Sequence, residues 1–271
     1  MLEPFDVLYE AAAPTYTLPA DLEALYGRLG FASPVLYSNF VASLDGVVSL
    51  GKTPSAGSVI SGKHSADRFL MGLLRACADA VIIGAGTLRA TPGHIWTPGH
   101  VYPDLAKSFA ELRRNLGRAE EPSLVVMTAT GQIEASHPAI VKGALVMTTP
   151  AGAVVLGDRL PPTCELVALG SGDRLDVESA IAELRNRGLR VLLTEGGPHL
   201  IGQLIERALL DELFLTVSPV LAGRKEERRL GMVEGVELLP TAGVWTELVS
   251  VRRNGAHLFM RHRRPGRARP A

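Results

Sequence analysis

The chain has 271 residues, 46% of them hydrophobic, and balances 28 Lys and Arg against 28 Asp and Glu. That length and apolar content suffice for one large α/β domain with a sizeable core, while a net charge of zero removes the electrostatic motive for a nucleic-acid or anionic-membrane partner. Two cysteines, Cys77 and Cys164, without a CxxC pair speak against a disulfide scaffold or a structural zinc site.

The first ten residues carry acids and no basic segment leading into an apolar stretch, so they do not read as a signal peptide, and no apolar run approaches the length of a bilayer span. A cytoplasmic location is the expectation. Residues 1–33, rich in Ala, Pro and acids, read as an extension with one short helix near residues 21–30. Residues 35–41 are apolar and β-branched at their ends, as in a strand. Residues 65–76 place apolar side chains at 66, 69, 70, 73 and 74, which is helical spacing, with Ser65 as N-cap. Short apolar strand patterns follow at residues 79–84, 123–128, 144–148 and 164–169. A helix is expected over 176–187 with Gly188 as its C-cap, then a strand over 189–194 and a helix over 198–208.

The end of the chain changes character. Residues 212–217, 244–251 and 257–260 read as strands, the last two joined into an antiparallel hairpin by Asn254-Gly255. The basic tail from His262 reads as disordered. Strands alternating with helices imply a mainly parallel central sheet with flanking helices, here with a C-terminal antiparallel hairpin adding edge strands, in one domain over 34–261.

In an open parallel sheet, ligands bind beyond the carboxyl ends of the strands. Four segments with chemistry fall there. Ala42-Ser43-Leu44-Asp45-Gly46 is either a pocket-lining loop or an ordinary Asp-Gly turn. Gly84-Ala85-Gly86-Thr87-Leu88-Arg89 begins like a dinucleotide fingerprint but has Arg89 in place of the third glycine, so it is a weak match; its two glycines still allow backbone N–H groups to approach an anion. Glu195-Gly196-Gly197-Pro198-His199-Leu200 joins a strand to a helix. Pro198 suits the first helical position, the glycines permit close backbone approach, and the helix N-terminus offers free donors to a phosphate. Glu195 either holds a polar substrate or caps the helix. Arg75, on the apolar helix after Ser65, needs an anion: a substrate phosphate or an acidic neighbour such as Asp79.

Other chemistries drop out. The sequence lacks the HxE and PCxxC pair of zinc deaminases, and it has neither HExxH nor GxSxG. The close histidine pairs, His94 with His100 and His257 with His262, lack further ligands at zinc spacing, so no metal is expected.

Taken in order, Ser43-Leu44-Asp45-Gly46, Leu73-Leu74-Arg75, residues 79–84 with Gly86-Thr87-Leu88, Thr194 to Pro198, and Asp211-Glu212-Leu213 running to Gly223 resemble the RibD C-terminal domain family, pyrimidine reductases of riboflavin biosynthesis related to dihydrofolate reductase. The resemblance covers roughly residues 34–261. It implies a dihydrofolate-reductase-like fold and an NADPH-dependent reductase acting on 5-amino-6-(5-phosphoribosylamino)uracil or its close precursor, a phosphorylated pyrimidine, by hydride delivery to C1′ of the opened ribose. It also implies a homodimer.

Carried over residue by residue, the resemblance puts Val41, Ala42, Thr87, Thr91, Thr128, Thr130, Gly196, Gly197, Pro198, His199 and Leu200 on the cofactor. Arg75 and Glu195 fall on the substrate, and Asp45 with Glu195 at the catalytic centre. One stretch departs: where the family has Asp-Asp-Pro, this chain has Arg89-Ala90-Thr91-Pro92-Gly93-His94. That departure leaves open a same-fold reductase of another pterin, pyrimidine or carbonyl compound, and a catalytically idle nucleotide-binding dimer.

Overall fold

The computed structural model describes residues 2–51, 56–225, 229–241 and 243–265. The elements run β1 (Asp6–Glu10), α1 (Ala20–Tyr26), β2 (Val35–Ser43), α2 (Ala56–Ile60), α3 (Ser65–Ala76), β3 (Ala80–Gly84), α4 (Ala85–Ala90) and α5 (Pro98–Val101). After them come α6 (Ala106–Asn115), β4 (Ser123–Thr128), α7 (Pro138–Lys142), β5 (Leu145–Thr148), α8 (Pro150–Leu156), β6 (Glu165–Ala168), α9 (Val177–Asn186) and β7 (Val191–Thr194). The chain closes with α10 (Pro198–Glu206), β8 (Glu212–Ser218), β9 (Glu247–Asn254) and β10 (His257–Arg263).

All ten strands form one sheet in the order β1-β9-β10-β8-β2-β7-β3-β4-β5-β6. From β8 to β6 every pairing is parallel, and the β8–β10, β10–β9 and β9–β1 pairings are antiparallel. The expected α/β class and mainly parallel sheet are therefore present. β3 shows why these strands read as continuous apolar runs: Val81 and Ile83 enter the core beneath α3, while Ala80 and Ile82 enter the core beneath α9 and α10. Both faces of a parallel sheet are covered, so both sides of each strand are apolar.

Several sequence expectations need correction. The helix over 65–76 is present, but its N-cap is His64, and no side chain caps it. The Ser65 hydroxyl stands instead 3.3 Å from that of Tyr102. In α9 the C-cap is Arg187, with Gly188 one residue on at φ +83°. The hairpin pairs Asn254 with His257, so its turn residues are Gly255 and Ala256, with Gly255 at φ +59°. The hairpin is also not the sheet's edge. β1 lies outside it, paired to β9, and Phe5 packs its ring against Tyr26, Phe69 and Phe259 at 5.4, 5.8 and 4.8 Å. Residues 1–33 thus supply both a strand and core side chains. At the other end His262 and Arg263 pair within β10 rather than starting a loose tail, and residues 266–271 lie outside the described residues.

This topology fixes where the motifs meet. The parallel strands β2, β7 and β3 are neighbours and end at Ser43, Thr194 and Gly84. Chain segments from three distant parts of the sequence are thereby delivered side by side at one edge, with the Glu195 loop between the other two. The chain leaves β2 for β3, returns to fill the gap with β7, then crosses to β8 on the far side of β2, so the strand order reverses here. Such a switch point opens a crevice at the strand ends.

Candidate active site

Glu195 follows directly on β7, and Arg75 reaches it from α3. Arg75 Nε and Nη2 bind Glu195 Oε1 and Oε2 at 3.0 and 2.6 Å, a two-pronged contact that the planar guanidinium is shaped to make. The Arg75 side chain is 1% exposed and that of Glu195 10%. Arg75 therefore has an acidic neighbour, but it is Glu195, not Asp79. Asp79 pairs with Arg118 and accepts the N–H groups of Arg190 and Val191 at 2.8 and 2.7 Å. Glu195 does not cap α10: the N-cap is Gly197 and no side chain caps that helix.

The two glycines differ. A Cβ on Gly196 would sit 2.5 Å from Leu200 Cδ2 and 3.3 Å from Thr194 Oγ1, so the Leu200 side chain already fills that side. A Cβ on Gly197 would meet only Thr87 Oγ1, at 3.8 Å. Gly84 and Gly86 face open space within 4 Å. The notch is thus one residue wide, walled by Thr87 and floored by the N-terminus of α10. The fingerprint-like segment is no loop: α4 begins at Ala85 with Gly84 as its N-cap. Thr91 ends that helix and donates its hydroxyl to Thr87 O at 2.8 Å.

A cavity of about 610 Å³ lies against the first turns of α10, lined in part by Gly84, Thr128, His199 and Leu200 and by both basic and acidic side chains, among them Arg174, Arg207, Glu178 and Glu206. Thr128 Oγ1 accepts the Gly131 N–H at 3.2 Å. Ala129 lines this cavity, whereas Thr130 is exposed outside it. On the other side of the notch, Val41 pairs with Thr216 and Ala42 with Val217 at the end of β2. The short helix α2 crosses above Val41, since a Cβ on Gly57 would touch its Cγ1 at 3.6 Å.

Asp45 proves to be a loop tie. Its Oδ1 accepts from Ser43 Oγ at 2.6 Å and Ala222 N–H at 2.9 Å, and its Oδ2 from Gly223 N–H at 2.8 Å. The Ser43 hydroxyl and these backbone donors hold its carboxyl down to about 2, so at neutral pH it has no proton to give. It joins the β2 turn to the segment after β8.

Three further groups stand at this site that the sequence motifs did not assign to it. The segment 229–236 bridges the motifs: Val48 N–H binds Leu230 O at 3.0 Å, and Glu234 N–H binds Pro198 O at 3.3 Å. His94 lies against Arg75, with Nε2 3.0 Å from Arg75 Nη2. Asp67, two turns before Arg75 on α3, is buried, and burial pushes its carboxyl up to about 6 against the pull of the Thr216 and Ser61 hydroxyls. Of the three, only His94 falls in a segment singled out from the sequence, the one that departs from Asp-Asp-Pro, and it carried no assigned role there; two charged residues, Asp67 and Arg75, on one apolar helix were the other available signal. Among the described residues no three His, Cys, Asp or Glu side chains stand together as metal ligands, and no helix is long and apolar enough to cross a membrane.

The RibD C-terminal domain matches residues 34–257. A 2,5-diamino-6-ribosylamino-4(3H)-pyrimidinone 5′-phosphate reductase from Archaeoglobus fulgidus is 26% identical over 204 residues, covering 71% of this chain and 84% of the relative. Among solved structures, a pyrimidine reductase-like protein from Corynebacterium diphtheriae superposes with a TM-score of 0.64 at 19% identity, covering 90% of this chain and 98% of that one. Acinetobacter baumannii RibD superposes with a TM-score of 0.66 at 18% identity, covering 86% of this chain and 59% of that one.

Proposed function

Because the chain belongs to the RibD C-terminal domain family, we propose that it is an NADPH-dependent reductase that converts a phosphorylated ribosylaminopyrimidine into its ribityl counterpart. The observation that carries this reading is the meeting, at one sheet edge, of an open glycine at a helix N-terminus, a threonine hydroxyl and a buried Arg–Glu pair.

A dinucleotide fits the residues present. The Gly197 notch leaves room for a diphosphate where amide donors and the partial positive end of α10 favour negative charge. Thr87 adds a hydroxyl beside it. The cavity lined by Thr128, His199 and Leu200 suits the adenosine half; its wall mixes Arg174 and Arg207 with Asp176, Glu178, Glu206 and Glu234, so the choice of NADPH over NADH rests on the family resemblance. Val41 and Ala42 would line the nicotinamide side. When bound, the reduced nicotinamide supplies the hydride. The protein's own part is to place and shield. Glu195, held by Arg75, presents an acceptor to the substrate's hydroxyl or amine groups, while α2 and the segment 229–236 cover the β2 end and the α10 end and keep water away.

The relative's substrate is a diaminopyrimidinone phosphate, and the aminouracil phosphate is the other candidate. NADPH oxidation with each, with dihydrofolate and with a panel of simple carbonyl compounds decides among the readings. Turnover of either pyrimidine phosphate is expected. Turnover of none, with tight NADPH binding, would leave an idle binding protein. The same reading carries a cytoplasmic homodimer, which light scattering on the purified chain checks for its oligomeric part.

A further inference from the structure

We propose that His94 is a positioning residue of this site: as a hydrogen-bond acceptor it fixes the Arg75 guanidinium, and through it the direction of the Glu195 carboxylate. The proposal rests on the reading of Glu195 as a substrate ligand.

Arg75 carries five N–H donors in a side chain that is 1% exposed, so each donor needs an acceptor within the protein. Nε and one Nη2 proton go to Glu195. Nη1 faces the carbonyls of Ile95 and Thr97, both at 3.5 Å. The second Nη2 proton points at His94 Nε2, 3.0 Å away. A guanidinium cannot accept, so Nε2 must be the bare nitrogen and Nδ1 must carry the ring proton. Burial, then the positive charge of Arg75, drive the imidazole down to about 3, which keeps Nε2 free as an acceptor at every working pH.

The placement of His94 is built in. Gly93, at φ +79°, turns the chain back after Pro92, and the His94 N–H closes that turn on Thr91 O at 3.1 Å. The ring stands edge to face against Trp96 and His100, at 4.9 and 5.0 Å. His137 then grips Thr91 O through Nε2 at 3.1 Å while its Nδ1 accepts the Ala139 N–H, capping α7. Because Thr91 also hydrogen-bonds to Thr87 O, one chain of contacts runs Thr87–Thr91–His94–Arg75–Glu195. It links the helix beside the notch to the pair that faces the substrate.

The test compares the full-length wild type with His94→Ala and His94→Gln. The glutamine amide oxygen can accept from Arg75; the alanine methyl cannot. Expected for His94→Ala is a loss of about tenfold or more in kcat/KM for the pyrimidine substrate, with NADPH affinity within about twofold of wild type because the notch is untouched. His94→Gln should recover most of that loss. Nitrogen NMR of the free wild type should show an unprotonated Nε2, and the Arg75 Nε–H signal should lose its protection in His94→Ala. Wild-type kinetics in His94→Ala, no recovery in His94→Gln, or a protonated Nε2 would each overturn the proposal. Should the wild type turn over neither pyrimidine, the functional reading fails instead, and the NMR signals alone decide the His94 contact.

Discussion

A methyl group built on the Gly197 α-carbon would come to rest 3.8 Å from Thr87 Oγ1, ordinary van der Waals contact with nothing else near it. That gap separates two substitutions. Gly197→Ala fits the space and the φ of −71°, so NADPH affinity should change by no more than about threefold. Gly197→Asp sets a carboxylate against the diphosphate, and its dissociation constant should rise roughly 10- to 100-fold. Calorimetric titration of both variants checks this. Equal affinities for NADPH in the two would remove the diphosphate from the notch.

Asp45 makes a prediction with a defined pH window. Its carboxyl titrates near 2 when folded and at 3.8 when unperturbed. A depressed folded value means the charged form stabilises the fold, fully above about pH 4, and that this contribution fades as pH falls towards 2. Asp45→Asn keeps one acceptor but turns an amide donor towards the Gly223 N–H or the Ser43 hydroxyl. The variant should therefore be less stable than wild type at pH 7, and the two should converge as the pH approaches 2. Denaturant melts at stepped pH measure the difference; a gap independent of pH would deny the carboxylate its role as a loop tie.

What the sequence made legible follows from burial and period. α3 and α10 show a single apolar face, and β3 and β4 are runs of apolar residues buried on both sides, so both kinds of element carried their pattern openly. β1 did not, because all five of its residues are exposed on a short edge strand ending in acids, a composition that protects an edge from further pairing and reads as loop. α4 was hidden because two glycines suggested a loop. The site was legible as motifs but not as contacts. Glu195 lies 120 residues from Arg75, and nothing in either neighbourhood names the other. His94 belongs to a Pro/Gly-rich turn without periodicity, so only the fold brings it to the pair.

Gly202 tests the bridging segment. A Cβ there would lie 2.2 Å from Glu234 O, a clash with backbone that no side-chain rotation relieves. Gly202→Ala should lift the 229–236 segment off α10 and break the Glu234 N–H to Pro198 O bond. Overpacking of this kind costs about 1–3 kcal/mol. Hydrogen exchange should show faster exchange at Glu234, and substrate KM should rise as the cover over the site loosens. A variant with unchanged exchange at Glu234 would mean that the segment is held by other contacts.

Asp67 reverses the sign seen at Asp45. Burial raises its folded carboxyl to about 6 from an unperturbed 3.8, and the nearby Glu195 charge adds to the rise. Between those two values the folded chain keeps a proton that the unfolded chain has lost, so stability falls as pH climbs through the window and levels off above about 6. Asp67→Asn is isosteric and cannot ionise. It should be the more stable protein at pH 7, by up to about 3 kcal/mol from a difference of roughly two pKa units, and should match wild type near pH 4. We predict that an acid retained at such a cost, on the helix that carries Arg75, serves the reaction rather than stability. The same variant should accordingly lose turnover while gaining stability. If Asp67→Asn lost stability at pH 7 instead, the carboxylate would be a structural anchor, and its burial beside the pair would have no catalytic meaning.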